Sequence, residues 1–444
     1  MGAVESRSMI APGPPVIASV CRTILPSSIR SMPAASARRW ASAAAVKATK
    51  CSRLRASFAR VPEPTGPRST TCEPISASSI TIANASDLSG PIPGLFTSAE
   101  QATQAYAAYF NATSTICGRK LAVQPLDSAT SSSGDQQAAL TACGSAFAMV
   151  GSMSAFDDGG AATVDRCGIP DLRSISVNPQ RGDSPVSFGT DSIKISEVPT
   201  PVYSYLKQVG GTAYQHAAMV YLTAGATVVN SRSFRKAAEA VGYQFVYDQA
   251  LDVTTFNYAP YVADMQSKGV KLVQWAGPYQ NAVRLRQAMS QQGFNPIFLM
   301  DSVAYDPAFS ASGGSAVNGT YAFVDTSLFE ERSHNAQMQT YLTWLNRVAP
   351  GATPSFFGMF AWGAAKLFTQ LAVQLGGRLS RSTMVAAMRS VHGYTADGLF
   401  APQDVGGKHS SHCQVVIRLS GGAWTRMTAA PFTCGPVVST GIGN

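Results

Sequence analysis

From residue 79 onward, short runs of β-branched and other apolar residues alternate with longer stretches in which apolar residues recur at helical spacing. This alternation is typical of a parallel sheet that is covered by helices. The first part of the pattern predicts strands at 79–83, 120–123, 146–150 and 171–175, separated by helices at 99–110, 135–143 and 159–166. These elements are enough to build one α/β lobe.

The same pattern restarts after about residue 196. It predicts helices at 198–209, 231–241, 261–268 and 283–292, and strands at 217–222, 243–248, 270–275 and 297–300. We therefore predict an α/β fold of two Rossmann-like lobes, each a mostly parallel sheet flanked by helices.

The last part of the chain determines how the two lobes are connected. A helical block covers 356–375 and 382–391, and a β pattern with a Gly421-Gly422 turn covers 414–427. If the block returns to lobe 1 and the hairpin to lobe 2, the chain crosses three times, and the crossings form a hinge. Lobe 1 is then 76–195 with about 325–395, and lobe 2 is 196–324 with about 396–436.

The first 75 residues differ from the rest in composition and charge. They are rich in Ser, Ala, Arg and Pro without a sustained apolar period, so we expect them to be disordered. They hold eleven Lys or Arg against three Glu, which is +8 of the formal net charge of +9. The nearly neutral remainder has little to bind phosphate backbones, so nucleic acid is not an expected partner.

The chain shows no clear export or membrane signal. The N-terminal segment lacks the unbroken apolar core of a signal peptide, and Cys21, Cys51 and Cys72 follow Val, Lys and Thr where a lipoprotein has a small residue. No run of about 18 or more apolar residues predicts a membrane span.

The later cysteines nevertheless point to an oxidising compartment. Without Cys-x-x-Cys spacing, structural disulfides are favoured over metal or redox roles. We expect Cys413 to pair with Cys434, because they bracket the terminal hairpin, while the pairing of the other candidates stays open. Those other candidates are Cys117, Cys143 and Cys167.

Catalytic motifs are absent from the sequence. None of the five His lies in a nucleophile motif, and there is no Gly-x-Ser-x-Gly, phosphate loop or dinucleotide fingerprint. We expect neither an enzyme nor a cofactor nor a metal site. An extracellular α/β hydrolase remains as an alternative, because Gly182-Asp183-Ser184 is superficially similar to a motif of some esterases.

Seven short motifs keep a recognisable order over some 350 residues. They are Ser89-Gly90-Pro91, Gly118-Arg119-Lys120-Leu121, Asp127-Ser128, Val150-Gly151-Ser152, Gly168-Ile169-Pro170, Gln291-Gln292-Gly293-Phe294 and Phe356-Phe357-Gly358-Met359-Phe360-Ala361-Trp362. With them, the body from about Ser79 to Cys434 resembles the type 1 periplasmic binding proteins. Within that family, the chain is most similar to the branch of the leucine/isoleucine/valine-binding and amide-binding receptors of ABC importers.

The resemblance implies an extracytoplasmic protein that closes over a small organic ligand, such as an amino acid or amide, and passes it to an ABC permease. A ligand sensor of the same fold, signalling to a partner protein, is the alternative. The ligand is expected in the loops beyond the carboxyl ends of the strands.

The residues expected to bind the ligand all lie at or near such strand ends. Ser152 and Ser154 are expected to hold a ligand carboxylate together with backbone N–H groups at a helix N-terminus, and Asp301 to pair with a ligand ammonium. N-capping is the alternative role for these three residues. The remaining candidates are Ser89, Ser174, Ser176, Tyr221, Thr223 and Trp275.

These remaining candidates also have alternative roles. Ser174 and Ser176 add hydrogen bonds or solvate a loop, and Tyr221 covers the ligand or packs in the core. Trp275 is expected to form a flat wall. Arg173-Ser174-Ile175-Ser176 replaces a run of small residues that amino-acid receptors have, which argues against an amino-acid ligand.

Overall fold

The computed structural model describes residues 75–443. The segment predicted to be disordered, and with it Cys21, Cys51 and Cys72, lies outside the described residues except for Ile75. The elements below are therefore those of the two predicted lobes and their connections.

The first sheet has five parallel strands in the order β2-β1-β3-β4-β5. They are β1 (Ser79–Ser86), β2 (Lys120–Asp127), β3 (Ala148–Val150), β4 (Asp171–Ile175) and β5 (Ser187–Asp191). β3 and β4 are buried along their whole length, as expected for strands covered on both faces. The strand order reverses between β1 and β3, and ligands bind at such a point in open α/β sheets.

Four helices follow these strands in chain order. They are α1 (Thr97–Thr113), α2 (Ser132–Ser145), α3 (Asp158–Cys167) and α4 (Pro179–Gly182). The α2 helix begins where the Ser131 hydroxyl accepts a hydrogen bond from the Gly134 N–H at 3.1 Å. The α3 helix ends at Gly168, whose φ of 65° lies in the left-handed region that terminates helices.

The second sheet is also parallel for most of its width. Its order is β13-β12-β11-β10-β9-β7-β8, and β12 runs antiparallel to β11. Its strands are β7 (Ala217–Leu222), β8 (Phe245–Leu251), β9 (Leu272–Ala276), β10 (Ile297–Met300), β11 (Tyr321–Val324), β12 (Cys413–Ser420) and β13 (Ala423–Arg426), with β14 (Thr433–Cys434) paired to β12. A separate two-stranded sheet joins β6 (Glu197–Pro199) to β15 (Val437–Ser439).

Five helices accompany the second sheet. They are α5 (Pro201–Val209), α6 (Thr227–Ala240), α7 (Ala259–Ser267), α8 (Tyr279–Gln291) and α9 (Pro307–Gly313). The predicted fold class, two α/β lobes with mostly parallel sheets, is confirmed.

The chain then returns to the first sheet through three helices: α10 (Ala336–Val348), α11 (Phe356–Leu375) and α12 (Arg381–Met388). α11 packs on α1 and β4, with the Trp362 ring edge-on to Tyr106 at 4.9 Å between centroids. By length and composition α11 is apolar enough to cross a membrane, which the sequence analysis did not anticipate. Most of this helix is buried inside the fold, and core packing accounts for its apolar character.

The crossings between the lobes are joined by one buried glutamine. The Ser192 N–H, just after β5, donates to the Gln403 Oε1 at 3.0 Å, and the Gln403 Nε2 donates to Asp325, which follows β11. The side chain of Gln403 is fully buried, so these hydrogen bonds are protected from water.

The segment between α12 and β12 also contacts the first lobe. The Phe400 ring stacks on Phe360 of α11 at 4.5 Å, and the Lys408 ammonium donates to the Gly182 carbonyl at 2.9 Å. Phe400 and Lys408 therefore contact elements of the first lobe. β12, which joins the second sheet, begins at Cys413.

Two disulfides connect cysteines among the described residues. Cys413 is bonded to Cys434, as predicted, and Cys143 is bonded to Cys167 at the ends of α2 and α3. Cys117 is exposed and has no disulfide partner in residues 75–443. Of the three cysteines whose pairing the sequence left undecided, Cys143 and Cys167 are therefore partners.

Replacing both Cys413 and Cys434 with Ser is expected to lower the free energy of unfolding by about 3 kcal/mol, because the bond closes a loop of about 20 residues in the unfolded chain. Urea denaturation under oxidising conditions measures this change. Cys117→Ser is the control and should alter stability by no more than about 0.5 kcal/mol. A double variant as stable as the parent protein would show that the bond is absent.

Candidate functional site

A cleft of about 780 Å³ lies between the carboxyl ends of the strands of the two sheets. Its walls are mainly apolar, which is the usual character of a small-molecule site. The first lobe supplies Ile92, Phe96, Met153, Phe156, Ile175 and Val177. The segment between β5 and β6, where the chain first crosses between the lobes, supplies Ile193 and Ile195. The second lobe and α11 supply Leu222, Val253, Phe256, Val303, Phe356 and Phe357.

The two lobes approach each other closely at a glycine in this lining. Gly225 follows β7 and has a φ of 54°. A Cβ placed there would lie 2.9 Å from the backbone carbonyl oxygen of Ala155, which follows β3. A side chain at position 225 therefore has to push the lobes apart, so glycine permits this degree of closure.

Two carboxylates of the second lobe face the cleft without a cation. The Asp301 carboxylate accepts from the Val303 N–H at 3.1 Å, and burial raises the pKa of Asp301 to about 6. The Asp306 carboxylate accepts from the Ala308 N–H at 2.8 Å, and burial raises its pKa as well. No described cation lies within salt-bridge distance of either group, so both retain capacity for a donor on a ligand.

The two cations of the described lining are placed differently. The Lys194 ammonium lies 3.3 Å from the Glu197 carboxylate, which neutralises it. The Arg284 side chain is exposed, and its guanidinium lies 5.4 Å from the ring centroid of Phe256. Phe256 is itself 77% exposed, so this pair contacts water as well as the cleft.

A pair of buried carboxyl groups lies where the first two crossings meet the cleft. Asp191 ends β5, Asp325 follows β11, and their side chains are hydrogen-bonded to each other. Burial raises the pKa of Asp191 well above its ordinary value and that of Asp325 to about 7. A carboxyl–carboxyl hydrogen bond needs a proton, so at least one of the two groups is protonated at low and neutral pH.

Asp301 is the one predicted ligand-binding residue among the described residues that line the cleft. Ser152 and Ser154 are fully buried behind the wall. The Ser152 hydroxyl accepts from the Ala85 N–H at 3.0 Å, and the Ser154 hydroxyl donates to Asp87 at 3.0 Å. These buried serines therefore stabilise the loop after β3 through internal hydrogen bonds.

The other predicted serines bond within the first lobe or are buried, and Ser89 is exposed. The Ser174 hydroxyl donates to the Phe357 carbonyl at 3.0 Å, which ties β4 to α11. Ser176 is buried, and its hydroxyl has no hydrogen-bond partner among the described residues. Ser89 donates to Asp127 at the end of β2.

The predicted residues of the second lobe lie beside the cleft. Trp275 is buried in the core, and its indole N–H donates to the Gly277 carbonyl at 3.0 Å. The Thr223 hydroxyl donates to the Leu251 carbonyl at 3.2 Å. Tyr221 is half-buried in β7, one residue before Leu222, which does line the cleft.

The serine of the hydrolase alternative lies away from the cleft. Ser184 is buried, and its hydroxyl donates to the Asp165 carboxylate. It is absent from the described lining. In residues 75–443 no group of three or more His, Cys, Asp and Glu side chains is placed to hold a metal ion.

The sequence analysis did not identify the two buried carboxylates that accept hydrogen bonds from the loops lining the cleft. Asp87 directly follows β1 and Asp157 precedes α3, and both are fully buried. Each follows a predicted strand within a few residues, and this position was the available signal. The partners they would find could not be seen, because those partners lie 20 to 68 positions away.

The structure thus consists of two mostly parallel α/β lobes with an apolar cleft between their strand ends. A profile of the periplasmic binding protein family matches residues 79–423. The chain belongs to this family, which confirms the resemblance seen in the sequence. A comparison with curated protein sequences finds no match.

Solved structures with the same fold include binding proteins with different ligands in their descriptions. A leucine binding protein from Thermotoga maritima is 15% identical, with a TM-score of 0.66 over 81% of this chain and 99% of that one. A fatty acid ABC transporter substrate-binding protein from Thermomonospora curvata is 16% identical, with a TM-score of 0.69 over 80% and 92%.

A third structure is an ABC transporter solute binding protein from R. palustris in complex with benzoate. It is 15% identical, with a TM-score of 0.66 over 82% of this chain and 99% of that one. At this level of identity the likeness establishes the fold alone, and the ligand of this chain has to be argued from its own cleft.

Asp325→Asn is expected to make stability less dependent on pH. A raised folded-state pKa means that the Asp191–Asp325 pair stabilises the fold fully below about pH 4, and this stabilisation is lost as the pH rises toward 7. Asparagine keeps an acceptor for Gln403 and a donor for Asp191 without titrating. The variant should therefore gain at least about 1 kcal/mol relative to the parent between pH 4.5 and pH 8.

Urea denaturation at several pH values measures this difference. Asp183→Asn, which changes an exposed carboxylate of the same lobe, is the control and should follow the parent at every pH. A constant difference between Asp325→Asn and the parent would contradict a protonated carboxyl group in the hinge.

Proposed function

We propose that this protein is an extracytoplasmic solute-binding protein that captures a small organic ligand between its lobes and delivers it to an ABC permease. The observation that carries the proposal is the apolar cleft at the strand ends of two lobes that meet at Gly225 and Ala155. Membership of the periplasmic binding protein family supports it.

The lining of the cleft supports binding rather than surface recognition. Burying apolar surface contributes about 25 cal/mol per Å², and a ligand enclosed by both lobes buries most of its surface. Asp301, which the sequence singled out, is the residue we propose to contact the polar group of the ligand. Asp301 is a half-buried residue of the lining, and its carboxylate keeps acceptor capacity beyond its backbone contacts.

The partner and the location follow from related observations. Two disulfides among the described residues are consistent with an oxidising compartment outside the cytoplasm. The descriptions of two of the similar structures name ABC transporters. An ABC permease is therefore the partner we propose, and co-purification of the two from membranes, stronger with ligand than without, is the direct test.

A thermal-shift screen of amino acids, amides, aromatic acids and amines tests ligand capture itself. A ligand at 100 times its Kd stabilises the folded state by about 2.7 kcal/mol, which raises Tm by several degrees. Small-angle scattering on the best compound should show a smaller radius of gyration with ligand than without. A screen in which nothing shifts Tm would contradict the proposal.

Gly225→Asn is expected to weaken ligand binding at least tenfold, because its side chain keeps the lobes from closing at Ala155. Gly211→Asn is the matched control. Gly211 also has a left-handed φ, of 59°, but open space surrounds its Cβ position. Asparagine tolerates this backbone region, so both variants carry similar strain. Equal affinities in calorimetry would contradict closure at Gly225.

A further inference from the structure

The N–H groups that the first lobe offers in the loops after β2 and β3 are already bound by a carboxylate of the chain itself. Asp87 accepts from the Ala155 N–H at 2.9 Å and the Thr130 N–H at 3.2 Å. The Ser128 and Ser154 hydroxyls also donate to it. Asp87 is fully buried, while Ala155 and Thr130 line the cleft, so this carboxylate lies directly behind the wall.

A second internal carboxylate does the same at the end of β4. Asp157 accepts from the Val177 N–H at 2.9 Å and from the Asn178 N–H at 3.0 Å. The Asn178 side-chain amide donates to it at 2.8 Å. Asp157 is fully buried, and Val177 lines the cleft.

These N–H groups are the ones with which a strand end would otherwise bind an anion. Oriented backbone N–H groups at strand-to-helix loops are the usual binding site for carboxylate and phosphate groups. Hydrogen bonds from N–H groups to an ionised carboxylate are strong, and each N–H has one hydrogen to give. A ligand carboxylate at this wall has to displace Asp87 or Asp157, or lie against it and be repelled.

The opposite wall carries two carboxylates that no described cation neutralises. Asp301 and Asp306 face the cleft with no described cation in salt-bridge distance, while Lys194 is paired with Glu197. Arg284 is exposed and lies over an aromatic ring. The carboxylates of Asp301 and Asp306 on the second lobe therefore keep acceptor capacity for a donor on a ligand.

We infer that the cleft binds an apolar ligand that carries an amine and discriminates against carboxylates. The hydrocarbon part packs on the apolar wall of the first lobe, and the amine donates to Asp301 and Asp306 of the second. This inference rests on the proposed function, and it narrows the ligand class from small organic molecules in general, amino acids included, to apolar amines.

Matched pairs with the same hydrocarbon test the discrimination. Calorimetry at pH 7.5 compares octylamine with octanoate and benzylamine with benzoate. We expect the amine of each pair to bind at least tenfold more tightly than the acid. An acid that binds as tightly as its amine would overturn the inference. If both pairs fail while another compound of the screen binds, the inference is wrong and the proposed function stands. If no compound binds, both fail.

Substitutions on the second lobe test which groups recognise the amine. Asp301→Asn with Asp306→Asn should weaken octylamine binding at least tenfold, and octanoate binding should stay the same or improve. Asp264→Asn, an exposed carboxylate of α7 outside the lining, is the control and should bind octylamine like the parent. Unchanged octylamine affinity in the double variant would overturn the assigned contact.

Asp87→Ser tests whether the internal carboxylate is what excludes an anion. It frees the N–H groups of Ala155 and Thr130, so octanoate affinity should rise at least fivefold. A folded variant in which octanoate affinity is unchanged would contradict the role of Asp87. Because Asp87 is buried and the variant could fail to fold, the parent's amine-to-acid ratio and the double variant decide the inference without it.

Discussion

The buried carboxylates of the first lobe must each find hydrogen-bond donors or cations, because an unpaired charge in a protein interior costs several kcal/mol. Asp171 pairs with the fully buried Arg181 at 2.8 Å, and its pKa is lowered. Asp157 lies 3.7 Å from Arg173 and also takes the N–H groups after β4. For Asp87 no described cation is within reach, so backbone N–H groups and hydroxyls serve it instead. The loops that form the cleft wall are shaped by this requirement.

The connection between the lobes depends on the same kind of pairing. The Asp191–Asp325 pair and Gln403 join residues from three separate parts of the chain, at the points where it leaves and re-enters the first lobe. Around them the structure is apolar, since Phe360 and Phe400 stack close by. Asp191, Asp325 and Gln403 thus form a small hydrogen-bonded group among apolar side chains. Hinges between rigid lobes consist of a few such loop or strand-end positions.

The sequence predicted the elements whose pattern is repeated along many residues, and it missed those whose pattern is short or polar. β1 and α11 were found because apolar positions dominate them. α10 buries one narrow face, with Met338, Tyr341 and Leu345, and β5 contains a glycine among polar residues, so neither stands out. For the site, strand ends located Asp301, whereas the partners of Ser154 and Asp87 depend on a contact between residues 67 positions apart. Local patterns carry no information about such a contact.

Closure of the cleft needs a ligand that interacts differently with the open and closed forms, since equal affinity for both shifts no population. The two walls supply this difference, because the first lobe offers apolar surface and the second adds acceptors at Asp301 and Asp306. In the proposed mode of binding, a ligand with one apolar and one donor end contacts both walls in the arrangement in which Gly225 lies next to Ala155. A purely apolar molecule leaves the acceptors without a donor, and a purely polar one gains little from the first lobe. Under the proposed function, the asymmetry of the walls would couple ligand recognition to closure of the cleft.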